Sequence, residues 1–378
     1  MANTLTGLLP ALYESLDTVS RELVGFIPSV AMDASAERAA VGQAIYSPIT
    51  PAATPVDNVP GVTPPNDGSQ VIGNNSITIV KSRSVPFQWT GEEQQGIQTG
   101  PGYNGIKNDQ ITQAMRALTN EIELYLGGVV QAGASRATGT AGNTPFASDL
   151  SDPANVLKIL KDNGAPNSDL NMVINTAAGA KMRTLTQLTK ANEAADTSLL
   201  RQGELMNIHG FSIRESAGVV TTTKGTGTGY VTNGSAVIGQ TAIPVITGSG
   251  TVLAGDVVTF AGDPNKYLVA SGVSAPGTIT LAKPGLLTNL AGSTAMTIGS
   301  SYTANAGFHR NAIVLATRAP AMPREGDMAD DAVTITDPRS GLSFDVRMYR
   351  LFQSVQYRIG ICYGAAVMKP EHVALLLG

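Results

Sequence analysis

The sequence contains few of the residues that carry metal and nucleophilic chemistry. Its 378 residues include a single cysteine, Cys362, and three histidines, His209, His309 and His372. One cysteine cannot form an internal disulfide, and the histidines match neither HExxH nor another ligand spacing. We therefore expect no metal, no cofactor and structural or surface roles for the histidines. Cys362 lies in a strand-like segment and is expected to be a small buried side chain.

Charged residues are also scarce. They form 14% of the chain, against about 25% in ordinary domains, and 25 basic with 29 acidic residues give a net charge of −4. Dedicated nucleic-acid binders neutralise phosphates with clustered Lys and Arg, and the sequence has no such cluster. A hydrophobic fraction of 42% excludes a disordered chain. At roughly 100 to 200 residues per domain, the length predicts two or three structural units.

The sequence has no long hydrophobic run. The longest candidates, Ile361–Met368 and Val373–Leu377, are much shorter than the roughly 18 apolar residues that a membrane span requires. The N-terminus reads MANTLTGLLP and has no basic residue before Arg21, which is not typical of a signal peptide. We therefore expect a soluble protein that stays in the cell that makes it.

Proline is concentrated near the N-terminus. Residues 8–24 have apolar side chains at helical spacing, which predicts an amphipathic helix. Six prolines then fall within Ser47–Pro65, which excludes a helix or a central strand and predicts an extended excursion from the body. Alternating runs at Ile77–Ile79 and Val85–Trp89 predict strands that bring the chain back. Extended arms normally bury themselves on a neighbouring subunit, so this region predicts assembly.

The longest predicted helix follows this arm. Asn108 or Asp109 is expected to cap it, and an apolar stripe continues to about Ala132. At 1.5 Å per residue, these roughly 25 residues would span about 37 Å. The stripe consists of Ile111, Met115, Leu118, Ile122 and Leu126.

Glycine, proline and alternation patterns predict the elements that follow the long helix. They are a loop over 133–147, a helix from Asp152-Pro153 to Gly164, a strand over Leu170–Ile174, a helix capped by Thr176, a tight hairpin at His209-Gly210, and a half-buried strand over Val355–Tyr363.

The composition changes at about Thr223. Residues 223–306 hold only five charged residues, and short Val, Ile and Thr runs alternate with turns such as Asn233-Gly234. This pattern predicts an inserted β-rich module of about 84 residues. Its strands are expected near 228–232, 236–246, 251–260, 266–270 and 278–282.

No group of residues forms a recognisable catalytic site. The glycines of Gly225–Gly229 lack the GxGxxG spacing, so we expect a flexible entry to the β-rich module and no nucleotide site. Neighbouring side chains on a strand or loop diverge, and the pairs Glu92-Glu93 and Asp330-Asp331 are therefore expected to be solvated. The sequence thus predicts a protein that is not an enzyme.

Five segments, in order, resemble the major capsid (coat) proteins of tailed bacteriophages, which have the Hong Kong 97-type fold. The branch that the chain resembles most is the podovirus coat proteins with an immunoglobulin-like insertion domain. The segments are SDLNMVINTAAGAKMR (Ser168–Arg183), RQGELMNIHGFSIRES (Arg201–Ser216), GDVVTFAG (Gly255–Gly262), AGFHRNAIVLATRAPAMP (Ala306–Pro323) and the run RIGICYGAAVMKPEHVALLL from Arg358.

The resemblance implies an α+β fold built from an arm, a loop and several domains. Its parts would be an N-terminal arm (1–40), an extended loop (41–105), a peripheral domain with a spine helix (106–145), the first part of an axial domain (146–222), an inserted β-rich domain (223–306), and the second part of the axial domain with the peripheral return strands (307–378).

The resemblance also implies a function. The chain would be a major capsid protein that self-assembles as hexamers and pentamers into an icosahedral head enclosing double-stranded DNA. Implied partners are other copies, a scaffolding protein, a portal protein and a candidate decoration protein, with only non-specific proximity to the DNA and no membrane. The protein would be assembled in the host bacterial cytoplasm and reside in the virion. Leu12 and Leu16 of the arm, and Lys81 and Arg83 of the loop, are candidate inter-subunit contacts.

One alternative is a secreted β-rich carbohydrate-binding or adhesin protein. The composition of residues 223–306 would allow it. It requires an export signal and exposed aromatic side chains, and the chain has a single tryptophan. The capsid interpretation is therefore the main hypothesis.

Overall fold

A computed structural model describes residues 24–49, 55–57, 60, 72–96, 103–189, 207–336 and 341–378. Most of the predicted N-terminal helix and of the proline-rich excursion lies outside these ranges, as do Leu12 and Leu16. The described helices are α1 (Gly91–Gly96), α2 (Tyr103–Gly133), α3 (Ser151–Asp162), α4 (Thr176–Thr184) and α5 (Thr186–Thr189).

The strands form two large sheets and a separate hairpin. The first ten are β1 (Ala31–Ala39), β2 (Ala44–Ile49), β3 (Gly73–Thr78), β4 (Lys81–Thr90), β5 (Arg136–Gly139), β6 (Leu170–Ile174), β7 (Phe211–Glu215), β8 (Thr221–Thr222), β9 (Val231–Thr232) and β10 (Ala242–Ile246). The others are β11 (Val257–Phe260), β12 (Lys266–Ser271), β13 (Gly277–Leu281), β14 (Met296–Ile298), β15 (Tyr302–His309), β16 (Ile313–Pro320), β17 (Asp331–Thr336), β18 (Ser343–Leu351), β19 (Ser354–Val367) and β20 (Val373–Leu377).

The first sheet is built around β19. Strand β4 pairs along one edge of β19, from Lys81 opposite Tyr363 to Thr90 opposite Ser354. The other edge is shared, because β18 pairs with the first half of β19 and β16 with the second half. Strand β1 adds in parallel to β16, and β17 adds to β18. This arrangement places β4, the strand that ends the extended loop, along one side of the central strand β19.

The long helix α2 packs on this sheet. The predicted apolar stripe is confirmed: all five of its side chains are buried, from Ile111 to Leu126, and they share a core with Ile359 and Ile361 of β19. The predicted start is wrong, because the helix begins at Tyr103. Asn108 lies inside it and accepts a hydrogen bond from the Thr112 hydroxyl at 2.8 Å. Tertiary context can hold Asn and Asp inside a helix against their weak helix propensity, so the capping preference of Asn108 and Asp109 did not fix the first residue.

The second sheet runs in the order β7, β6, β15, β20, β5, β12, β13, β10, β9. Strand β5 corrects the prediction of a loop over 133–147. It pairs in parallel with β20 and antiparallel with β12, both more than a hundred residues away in sequence. A four-residue strand held by distant partners leaves little local signal, and the glycines on either side of it are typical of loops.

Several shorter predictions are confirmed, with one correction. Helix α3 ends at Asp162, and Gly164 follows with a φ of +78°. The cap of α4 is Asn175 rather than Thr176, because the extended Asn175 accepts a hydrogen bond from the Ala178 N–H at 2.9 Å. The turn at His209-Gly210 is present, and its flanking residues Ile208 and Phe211 exchange two backbone hydrogen bonds.

Residues 223–306 are rich in β-structure, as predicted, and contain a hydrophobic cluster of their own around Tyr230, Phe260 and Tyr267. Three predicted strands are shorter than expected, and the first of them is reduced to β9, Val231–Thr232. Strand β10 starts only at Ala242, and β11 only at Val257, because turns ending at Gln240 and Asp256 precede them. Strand β12 pairs with β5, so the sheet of this region is continuous with that of the rest of the chain.

The C-terminal part of β19 differs from the half-buried strand that alternation predicted. Alternation holds near its start, but every residue from Ile359 to Gly364 is buried. Helix α2 covers one face, where Tyr125 and Tyr363 meet edge to face with ring centroids 5.3 Å apart. The other face packs against Ile77 and Ile79, which lie in the returning part of the extended loop (41–105). Burial of the second face depends on a segment that is distant in sequence, so the alternation of apolar residues along β19 cannot predict it.

Candidate assembly surfaces

The hairpin formed by β2 and β3 exposes apolar side chains. The two strands pair from Ala44 opposite Thr78 to Ile49 opposite Gly73. Around them lie large side chains with high exposed fractions, among them Tyr46 at 70% and Ile72 at 64%. Two further exposed side chains, Val41 and Val80, flank the two strands in sequence. A group of this size is typical of a surface that another protein covers.

The base of this hairpin is held firmly on the first sheet. Ile77 and Ile79 are buried beside Cys362 and Ala316. Ile79 also exchanges backbone hydrogen bonds of 2.9 Å with the turn at Gly42 and Gln43. The hairpin is therefore an apolar projection mounted on a rigid base.

Lys81 and Arg83, two predicted contact residues, lie where β4 meets α2. Their side chains share the Glu121 carboxylate, with N to O distances of 3.2 Å and 2.9 Å. Partial burial acts to raise the pKa of Glu121, but the hydrogen bond from Lys81 and the charges of Arg83 and Lys81 lower it overall. Both cations remain partly exposed, and inter-subunit contact by them stays a prediction.

The turn between β18 and β19 is a second exposed apolar projection. Phe352 is 90% exposed and Leu351 is 47% exposed. Gln353 has a φ of +53°, and its carbonyl accepts the Gly91 N–H at 3.0 Å, which fixes the turn against α1. The sequence did not predict this exposed turn. Whether Phe352 is exposed depends on where β18 ends and β19 begins, and the alternation of residues did not locate that point.

A polar cluster lies on the first sheet beside β4. Buried Asp345 accepts from Arg347 Nε at 2.6 Å and from Arg38 Nη2 at 3.1 Å. Arg347 also pairs with Asp327, which accepts the Tyr349 hydroxyl at 2.7 Å. The cluster lines a cleft of about 290 Å³. It connects three separate segments of the chain, and for that reason no local motif predicted it.

The two acidic pairs singled out in the sequence are largely exposed to solvent, as predicted, and one acid of each pair also has a protein partner. Glu93 and Thr90 form a reciprocal cap at the start of α1, with hydrogen bonds of 2.9 Å and 3.3 Å. The spacing Thr-x-x-Glu is the capping-box signal, and it could have identified this helix start. Asp330 forms an ion pair with Arg350 at 2.6 Å. Both acids therefore stabilise local structure.

The remaining candidate residues have structural surroundings. Cys362 is buried as predicted, and burial raises the pKa of its thiol. His309 accepts the Asn311 N–H at 3.2 Å and meets His372 edge to face. The glycine-rich entry is not a free linker, because Gly225 donates to Asp256 at 3.0 Å and packs against Thr251.

Among the described residues, no group of three or more His, Cys, Asp or Glu side chains could hold a metal ion. In the same part of the chain, no helix has the length and apolar character needed to cross a membrane.

The fold has known counterparts, although the sequence matches no family model and no curated protein. The chain is similar to a chain of the capsid structure of the cyanophage P-SCSP1u, with a TM-score of 0.52 and 12% identity over 94% of this chain and 88% of that chain. The likeness to the mature capsid of bacteriophage PhiM1 is weaker, with a TM-score of 0.49 and 11% identity over 94% of this chain and 86% of that chain. The likeness to a chain of Mycobacterium phage Che8 has a TM-score of 0.48 and 14% identity over 89% of this chain and 84% of that chain.

The likeness to the cyanophage chain establishes the fold. It extends over nearly the whole length of both chains. The expected α+β phage capsid fold, of the Hong Kong 97 type, is thereby confirmed.

Proposed function

We propose that this chain is the major capsid protein of a tailed bacteriophage and assembles as hexamers and pentamers into an icosahedral head enclosing double-stranded DNA. The observation that carries the proposal is the shared fold with the cyanophage capsid chain over 94% of the sequence. Five sequence segments that resemble phage coat proteins point the same way. A fold alone does not define an activity, so the surfaces must also suit assembly.

The exposed apolar projections suit assembly. Tyr46 and Ile72 on the β2–β3 hairpin and Phe352 on the β18–β19 turn have more than half of their surface in solvent. Each Å² of apolar surface that a neighbouring subunit covers contributes about 25 cal/mol. Repeated over a closed shell, modest contacts of this kind stabilise the whole assembly.

The charge of the chain suits a container for DNA. A net charge of −4 and a sequence without a run of basic residues favour weak contact with the packaged duplex. We therefore assign the DNA only non-specific proximity, and place the protein in the virion after assembly in the host cytoplasm.

The proposal includes the division of the chain that the resemblance implies. Residues 1–40 would be the arm, 41–105 the extended loop, and 106–145 the peripheral segment with the spine helix, with 146–222 and 307–378 building the axial domain and the return strands and 223–306 the inserted domain. The 31-residue α2, the exposed hairpin and the separate hydrophobic cluster of residues 223–306 support this division. A scaffolding protein, a portal protein and a decoration protein complete the proposed set of partners.

Electron microscopy of the purified protein tests the proposal. The chain would be expressed alone and together with neighbouring phage proteins, and examined by negative stain and by sedimentation. We expect closed shells or tubes in at least one preparation. A uniform small monomer in both preparations would contradict the proposal.

A paired substitution links the shells to the hairpin. Tyr46→Ser with Ile72→Ser removes apolar surface that is already exposed, so the subunit should keep its circular dichroism and lose its shells. Val237→Ser with Ile238→Ser is the matched control, since these side chains are also about 60% exposed but lie in the 223–306 region. Shells that survive the hairpin change would exclude this hairpin as an assembly contact.

A further inference from the structure

We propose that the Glu123 carboxylate is the positioning group for the N-terminal arm: it fixes where residues 25–27 of that arm cross α2. Glu123 lies in the middle of α2 and is only 3% exposed. Its effect on the arm is a property of the single subunit. Its consequence for shell formation rests on the proposed function.

Glu123 accepts four hydrogen bonds from two other segments. Its Oε1 atom accepts the N–H groups of Gly25 and Phe26, both at 2.7 Å, and Oε2 accepts the Ile27 N–H at 3.0 Å. The Ser216 hydroxyl donates to Oε1 at 2.6 Å. Three consecutive N–H groups that converge on one carboxylate form an anion-binding nest.

The three N–H groups and the Ser216 hydroxyl compensate the negative charge of the Glu123 carboxylate. None of the ion pairs in the described part of the chain includes Glu123. A buried charge without a cation is tolerated only where hydrogen bonds replace its lost hydration. In turn, no other described residue accepts from the three N–H groups, and buried donors without partners are strongly disfavoured.

The anchored residues are also locked by packing. Phe26 stacks on Phe308 with ring centroids 6.4 Å apart, and Ile27 is fully buried. The Ser29 hydroxyl donates to the Gly25 carbonyl at 2.6 Å and closes the turn. The segment therefore has one conformation where it crosses α2.

The same carboxylate fixes a third segment. Ser216 accepts the Gly218 N–H at 3.0 Å while it donates to Glu123, so the chain leading toward residues 223–306 is tied to the same point. A Cβ atom on Gly218 would lie 2.8 Å from the Glu123 side chain, which shows how closely the segments approach. One residue thus sets the relative position of the arm, the long helix and the entry to the β-rich region.

Hydrogen exchange of the unassembled subunit tests the anchor. Glu123→Gln keeps the size and shape of the side chain, but its amide NH2 group replaces one of the two oxygens that accept from the arm. We expect amide exchange over residues 25–30 to become about tenfold faster or more, because charged hydrogen bonds are lost, with exchange in β19 unchanged. Glu121→Gln is the control on the same helix, since Glu121 contacts Lys81 and Arg83 and not the arm. Equal exchange over residues 25–30 in wild type and Glu123→Gln would overturn the proposal.

A milder variant covers the case in which Glu123→Gln does not fold. Ser216→Ala removes one of the four donors, and we expect a smaller increase of exchange over the same residues. No increase in that folded variant would also overturn the anchor.

The role in assembly is read separately by electron microscopy. If wild type forms shells and the Glu123→Gln subunit, folded with a released arm, forms them equally well, arm positioning is not needed for assembly and that part of the proposal fails. If wild type itself forms no shells, the proposed function fails, and the exchange result still decides the anchor.

Discussion

A Cβ atom on Gly127 would lie 2.3 Å from the carbonyl oxygen of Gly218. The backbone of α2 therefore touches the segment that leads toward residues 223–306, one helical turn beyond Glu123. Glycine normally weakens the middle of a helix by about 1 kcal/mol relative to alanine. At this position it permits a contact that any other residue would prevent.

The neighbouring glycine allows a matched test of this contact. Gly128 has open space where a Cβ would be placed. Gly128→Ala should therefore stabilise the subunit by about 0.5 to 1 kcal/mol, since alanine favours the helix and restricts the unfolded chain. Gly127→Ala should destabilise it by about 1 to 3 kcal/mol, because a backbone carbonyl cannot move away easily. Urea unfolding of both variants measures the difference, and similar effects at the two positions would contradict the contact.

Tyr267 should make stability depend on alkaline pH. Burial, together with its hydrogen bond to Asp263 at 2.6 Å, raises the pKa of Tyr267 to about 12. Since an unfolded tyrosine has a pKa near 10, the folded state favours the neutral form. That stabilising contribution is complete below about pH 10 and is lost as the pH rises toward 12.

A comparison with Tyr267→Phe isolates this effect. The difference in unfolding free energy between wild type and Tyr267→Phe should shrink steadily between pH 9.5 and 11.5, about the range set by the two pKa values. Other tyrosines titrate in both proteins and cancel. A difference that stays constant over this range would show that Tyr267 ionises normally.

Cys362 should be unreactive in the native subunit. It is 1% exposed, and burial raises the pKa of its thiol, so both access and thiolate content are low. A disulfide reagent should label no more than a trace of the protein under native conditions and one thiol per chain in denaturant. Rapid native labelling would mean that β19 opens, and Cys362→Ala should abolish the signal in either case.

Two carboxylates on the first sheet and its helix should differ greatly in their contribution to stability. Glu121 forms partly exposed ion pairs, so Glu121→Gln should cost less than about 1 kcal/mol and the loss should shrink with salt. Asp345 is 3% exposed and bonded to Arg38 and Arg347, so Asp345→Asn should cost about 3 to 5 kcal/mol. Thermal unfolding at low and high salt measures both. Equal losses would mean that the cluster around Asp345 is hydrated.

The sequence predicted the elements that have a strong internal period or a clear end signal. The apolar stripe from Ile111 to Leu126 predicted α2 and the face that it buries, because 3.6-residue spacing determines which side chains share a helix face. Gly164 marked the end of α3 for a similar local reason, since its positive φ suits glycine. The low charge and the turn-rich composition of residues 223–306 predicted a β-rich region.

The candidate surfaces were only partly predictable. Lys81 and Arg83 were singled out on the loop, and the structure places both on Glu121 of α2. Glu123 was not singled out, because nothing in its neighbourhood in sequence distinguishes it from Glu121. Its partners Gly25 and Ser216 lie more than ninety residues away along the chain.

What the sequence by itself determined was local: the helix faces, the turns, the β-rich composition and the absence of a recognisable catalytic motif. Tertiary structure decided which distant segments meet. Residues Arg136–Gly139 form a strand because they pair with β12 and β20. Both faces of β19 are buried, one under α2 and the other under Ile77 and Ile79 of the extended loop. Tertiary structure also brings three backbone N–H groups to the Glu123 carboxylate. The physical reason is that strand pairing and burial of a charge depend on partners in space, whereas periodicity and capping depend only on neighbours in the chain.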